Sequence, residues 1–135
     1  MKNIPNDVVN ELNLEIEEAA VKELFNFLSK RSKIGSRFKS YRLFPFIQAR
    51  LNNEEESLRY DSFVRICSIL EDKGYFRRAF FLEKSKDSYV EIELTEEQVD
   101  MLNNKVSFNY LHNNNEYLSW ESISLQYVLT KNFDL

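Results

Sequence analysis

Between Lys30 and Arg50 the chain carries Lys30, Arg31, Lys33, Arg37, Lys39, Arg42 and Arg50 without one acid, interleaved with Phe38, Tyr41, Phe44 and Phe46. Cations neutralise phosphate oxygens, and aromatic faces stack on bases or hold a guanidinium, so this mixture suits nucleic acid. The same residues have a structural use. Aromatics at this density also build cores, and a basic run also serves as a solvated face or as a partner for acidic flanks.

The surrounding charge sharpens the contrast. The 135 residues hold 18 Lys and Arg against 22 Asp and Glu, a net charge of −4. Residues 1–29 contribute −4, residues 30–86 contribute +7 and residues 87–135 contribute −7. The overall pI of about 5.1 therefore hides a basic centre, and a local positive region concentrates anionic partners whatever the total. That centre is itself divided by Glu54-Glu55-Glu56.

Other chemistry is thinly supported. Cys67 falls on an apolar helical face, which suits a buried thiol better than a nucleophile. His112 stands beside Asn113-Asn114-Asn115, a turn in solvent, with no second ligand nearby. Asp87, Glu91 and Glu93 flank a strand as magnesium-holding nuclease carboxylates do, yet the lysine that commonly completes such a site is missing, and alternating acids also suit a strand's outer face. Gly35 and Gly74 are isolated, so there is no glycine-rich phosphate loop. A non-enzymatic protein without metal or cofactor is expected.

Several elements must position these side chains. One domain is expected at this length, with a helical part over 1–53, a helix-hairpin unit over 57–104 and a β-rich segment over 105–135. Ile16, Ala19, Ala20, Leu24, Phe27 and Leu28 mark one face of a helix over Leu14–Leu28. Gly35 breaks it, Pro45 suits the first turn of a second helix reaching about Leu51, and Ser36–Phe44 reads either way. A third helix, capped by Asp61 or Ser62, turns Phe63, Ile66, Cys67 and Leu70 inward and ends at Gly74. Phe76–Leu82 and Tyr89–Leu94 then alternate as strands of a hairpin around Lys84–Ser88. Thr95 with Gln98 forms a capping-box pattern for a helix to about Asn104. Val106–Leu111 reads as a strand, Glu116–Trp120 pairs back, and Ile123, Leu125, Tyr127 and Leu129 alternate as a strand, with a helix starting at Ser119 as the other reading. The fold class expected is α+β.

The single cysteine excludes an intrachain disulfide. The N-terminus lacks a signal-peptide stretch, and the apolar runs Leu43–Ile47 and Ala79–Leu82 are too short for a bilayer. A cytoplasmic protein without a membrane partner is expected. The Lys- and Asn-rich, glycine-poor composition is compatible with an AT-rich bacterial or phage genome.

From Ser62 to Gln98, the helix ending Ser68-Ile69-Leu70-Glu71-Asp72-Lys73-Gly74-Tyr75, the following Phe76-Arg77-Arg78, the hairpin tip Lys84, Lys86 and Asp87, and Leu94-Thr95-Glu96-Glu97 resemble the recognition helix, wing and next helix of winged-helix regulators, especially the MarR type. The resemblance implies a recognition helix in the major groove, a wing on the minor groove or backbone, and a homodimer. It would place Ser62, Arg65 and Ser68 on the exposed helix face and make Lys84 and Lys86 wing contacts. Ser88 stands where the family usually has its wing arginine. The nucleic-acid-binding residues expected are thus Lys33, Arg37, Lys39, Arg42, Arg65, Arg77, Arg78, Lys84 and Lys86. The alternative is a small acidic protein-interaction module (an inhibitor, immunity protein or complex subunit) whose acidic ends engage a basic partner protein.

Overall fold

The computed structural model describes residues 4–51, 57–110 and 116–133, without the Arg31 side chain. Over these residues the chain is mixed α+β. Helices α1 (Asn6–Val9), α2 (Glu15–Arg31), α3 (Ser40–Arg50), α4 (Tyr60–Asp72) and α5 (Glu96–Asn103) are joined by strands β1 (Arg37–Phe38), β2 (Phe76–Ser85), β3 (Ser88–Ile92), β4 (Phe108–Tyr110), β5 (Glu116–Leu118) and β6 (Ile123–Leu129). One sheet has the order β1-β6-β2-β3, and β4 pairs with β5 in a second. The chain divides into two compact units, Met1–Arg78 with Tyr127–Leu135 (unit 1) and Ala79–Gln126 (unit 2). No helix among the described residues is long and apolar enough to cross a membrane.

In unit 1, α2 begins with Glu15, Glu17 and Glu18 in its first turn, where carboxylates meet the positive end of the helix dipole. Its buried stripe is Ile16, Ala20, Val21, Leu24, Phe25 and Leu28. Val21 and Phe25 join the expected stripe because α2 packs against both α3 and α4, while Ala19 is half-buried and Phe27 packs partly buried against the core. The short α1, which sequence periodicity did not announce, adds Val8 to the same core.

Helix α3 starts at Ser40, so Pro45 lies inside it rather than in its first turn. The ambiguous Ser36–Phe44 stretch is strand β1 followed by helix. A proline at that place has no N–H for the Tyr41 carbonyl, and its ring crowds the preceding turn. Burial of Leu43 and Ile47 holds the helix against that cost.

Helix α4 buries Phe63, Ile66, Cys67, Ile69 and Leu70, the inner face expected with Ile69 added. Its cap differs from the expectation. Arg59 holds the N-cap position without a side-chain bond, and Asp61 is the second residue of the helix, accepting from the Ser62 N–H at 2.9 Å. The C-terminus is a Schellman turn: Gly74 at φ +85 donates to the Glu71 carbonyl at 3.0 Å, and Tyr75 donates to the Leu70 carbonyl at 2.9 Å. That turn delivers Tyr75 and Phe76 into the core beside Phe133, while Phe76 also meets Phe38 and Tyr127.

Strand β1 pairs antiparallel with β6, with Phe38 opposite Tyr127 and Arg37 opposite Val128. Opposite residues share a face. Phe38, Tyr127 and Phe76 therefore line the core side, and Arg37, Val128 and Arg77 the outer side.

In unit 2, β2 and β3 form the expected hairpin with a tighter tip. Ser85 pairs with Ser88, leaving Lys86 and Asp87 as the turn, with Asp87 at φ 62. The capping box is complete, since Gln98 N–H donates to Thr95 Oγ1 at 3.2 Å and Thr95 N–H to Gln98 Oε1 at 3.0 Å. Strands β4 and β5 pair as expected, and Trp120 opens a single 3₁₀ turn before β6 instead of continuing β5. Segment 123–129 is a strand, not the alternative helix. The core here gathers Leu82, Phe108, Leu118 and Ile123. The expected polar connection over 52–56, strand residue 111 and the asparagine turn lie outside the described residues.

Replacing Pro45 by Ala restores a helical donor and removes the ring clash, so Pro45→Ala should raise stability by roughly 1–2 kcal/mol in urea unfolding. An equal or lower midpoint would mean that the proline's position is not strained.

Candidate nucleic-acid interface

The acid-free stretch folds into one contiguous part of unit 1. Lys33 is exposed in the turn after α2, where its N–H donates to Ser36 Oγ at 3.1 Å and Gly35 takes φ +93. Arg37 follows on the outer face of β1, with Arg77 on the same face of β2 and β6 between them, roughly 10 Å across the sheet. Lys39 holds the N-cap position of α3, and Arg42 is exposed in its first turn.

At 100° per residue, the exposed positions of α3 run around the helix as Gln48, Tyr41, Pro45, Ala49, Arg42, Phe46 and Arg50, while Leu43 and Ile47 face the core. Tyr41 is 55% exposed and Phe46 is 54% exposed. Rings this open also occur at Tyr60 of α4 (42%) and Tyr117 of β5 (70%), so what distinguishes Tyr41 and Phe46 is the cations around them. The Lys39 ammonium lies 5.8 Å from the centre of the Tyr41 ring. Burial raises the Tyr41 phenol pKa, but hydrogen bonding from Arg42 and Lys39, with their charges, outweighs it and lowers the pKa overall. At the other end, Phe46 stacks on Phe27 at 5.9 Å, and the Arg50 guanidinium sits 5.6 Å over Phe27 while donating to the Phe46 carbonyl at 3.0 Å. Cations and rings thus alternate along this surface.

The other expected contacts are divided. Arg65 does not project from α4 as a base reader. Its Nη1 donates to both Glu17 oxygens at 2.8 and 2.7 Å, and its Nη2 donates to the Glu11 carbonyl at 2.8 Å. Glu17 is only 3% exposed and also accepts from the Asn13 N–H at 2.8 Å, so the guanidinium neutralises a buried charge. Arg78 Nε lies 2.7 Å from Glu71 Oε2, a buried oxygen held as an ion pair rather than by an aligned hydrogen bond. Lys73 pairs with Glu11 at 2.8 Å. Around α4, Ser62 is half-buried, Ser68 is exposed but turned to the Val64 carbonyl at 3.1 Å, and Asp61 and Asp72 are exposed acids. Its outer face is therefore not a basic one.

Lys84 and Lys86 belong to unit 2. Lys84 pairs with Glu116 at 3.1 Å, and Lys86 is exposed at the hairpin turn. Unit 2 holds three bases (Lys84, Lys86, Lys105) and nine acids, a charge of −6, which leaves unit 1 with 15 bases and 13 acids, +2. The charge asymmetry of the sequence is thus also a division between units.

Cys67 is wholly buried, and burial, reinforced by Glu71, pushes its thiol from 9.0 up to about 12. Asp87 sits at the hairpin turn, Glu91 lies in β3 and Glu93 just beyond it. No group of three or more His, Cys, Asp or Glu among the described residues could hold a metal ion. His112 and Glu54-Glu55-Glu56 lie outside the described residues.

Sequence reasoning missed Glu17, and it named Arg50 in the acid-free stretch without counting it among the nucleic-acid-binding residues. An acid between Ile16 and Ala20 on an apolar stripe is the signal for a buried ion pair, and Arg50, eight residues after Arg42, shares its side of α3.

Removing the Arg65 guanidinium strands a buried carboxylate, so Arg65→Ala should lower stability by about 2–4 kcal/mol while leaving nucleic-acid affinity of the folded protein unchanged. Alkaline pH should also destabilise the fold. The native Cys67 thiol keeps its proton to about pH 12 and the unfolded one releases it near 9.0, and Tyr127 behaves likewise, raised by burial from 10.0 to about 12. Above pH 9 the unfolded state binds fewer protons, so denaturation midpoints should be level below that pH and fall above it. A midpoint that rises between pH 9 and 11 would contradict those burials. In comparisons with known proteins, no family model matches the chain, and no curated protein or solved structure matches it significantly.

Proposed function

We propose that the protein is a non-enzymatic nucleic-acid-binding regulator that uses the basic, aromatic surface of unit 1 formed by Lys33, Arg37, Lys39, Arg42, Arg50 and Arg77. The observation that carries this reading is the absence of any acid from Lys30 to Arg50, combined with exposed Tyr41 and Phe46 among the cations. Phosphate contacts supply most sequence-independent affinity, and a segment without carboxylates adds no repulsion of its own against the backbone. Helix α4 is not the reading element here, because Arg65 neutralises Glu17 and two acids face outward. This departs from the winged-helix expectation in the helix used, while keeping the partner class.

A second reading rests on unit 2, whose −6 charge suits a basic partner protein. The two separate by salt titration. Oligonucleotide affinity, followed by fluorescence anisotropy, should fall steeply with salt, with a slope in log K against log salt of about −0.7 per phosphate neutralised on a single strand. Arg42→Ala should flatten that slope by about 0.7–1, and Lys86→Ala should leave it unchanged. No binding at low salt would overturn the nucleic-acid reading and leave the protein-interaction module.

A further inference from the structure

We infer that the nucleic acid preferred by this surface is single-stranded, with bases stacked on Tyr41 and Phe46 of α3 and the backbone held between them by Arg42. This rests on the nucleic-acid reading above and deepens it. A duplex hides its base faces in the stack and offers a cationic surface mainly phosphates, so it gains little from exposed rings. An unpaired strand offers both phosphates and faces, and stacking on aromatic side chains tolerates any base.

The placement of the rings fits that use. Tyr41 and Phe46 are five residues apart, about 7.5 Å along the axis, and Arg42, Pro45 and Ala49 lie between them around the helix. Pro45 and Ala49 are small, so the strip separating the rings has little to obstruct a strand. Each ring is set from its own side: Tyr41 by Lys39 and Arg42, and Phe46 by its stack on Phe27, which Arg50 covers. Rings held this way lose less freedom on binding than mobile ones.

The test compares a 12-nucleotide oligothymidine strand with a mixed-sequence 12-base-pair duplex by anisotropy at one salt concentration. The strand should bind at least tenfold tighter. Tyr41→Ala combined with Phe46→Ala should weaken strand binding about tenfold or more without changing the salt slope, and Tyr41→Trp with Phe46→Trp should restore it. Thermal melting of each variant checks that the fold is retained. If Phe46→Ala unfolds the chain, Tyr41→Ala alone carries the test, because that ring is held at the rim by cations rather than by the core. Equal or tighter duplex binding, or ring-deleted variants with unchanged strand affinity, would overturn the inference while the nucleic-acid reading stands. Absence of binding to either probe would remove both.

Discussion

A carboxylate at 3% exposure must be neutralised, and in this protein the Glu17–Arg65 pair does it. An unpaired charge at such a site costs several kcal/mol, so α4 docks on α2 in the register that brings Arg65 to Glu17. Everything downstream follows from that register: the buried row Phe63, Ile66, Cys67 and Leu70, the Schellman turn at Gly74, and the delivery of Phe76 to Phe38 and Tyr127. The pair engages the Arg65 guanidinium, which also donates to the Glu11 carbonyl, while its side chain stays 40% exposed.

The same logic sorts the remaining charges. Glu71 holds Arg78, Glu11 holds Lys73 and Glu116 holds Lys84, so bases that look available in the sequence are engaged by acids of the chain. The stretch from Lys30 to Arg50 has no acids of its own to pair with, and α3 presents its cations and rings outward while Leu43 and Ile47 anchor it. An interior proline and two half-exposed aromatics break local rules on one helix. Such conflicts concentrate where a surface serves something other than stability.

How much of this was legible follows from the kind of signal each feature sends. Periodicity located α2, α4, the hairpin and β6, because amphipathic spacing is local. The Thr95–Gln98 capping box was readable to the residue for the same reason. The start of α3 was not, because the usual place for proline in a helix outweighed the weaker pull of Ser40–Phe44. Gln126 and Val128 are buried although the alternation predicts exposure, and Leu125, which it places inward, is 47% exposed. The basic segment was visible as composition. Which of its side chains, and which bases after Ser57, serve as internal ties depends on partners up to 54 residues away, as with Arg65 and Glu11, and no local pattern carries that information.

The proposed interface is the surface of α3 and its flanks rather than α4 or unit 2. Backbone amide mapping by NMR during titration with a short oligothymidine strand tests it most directly. Shifts should concentrate in Lys33–Arg50 and at Arg77, with α5 and the exposed side of α4 unmoved. Shifts confined to α4 or to the acidic unit, or no shift at millimolar strand in low salt, would contradict it.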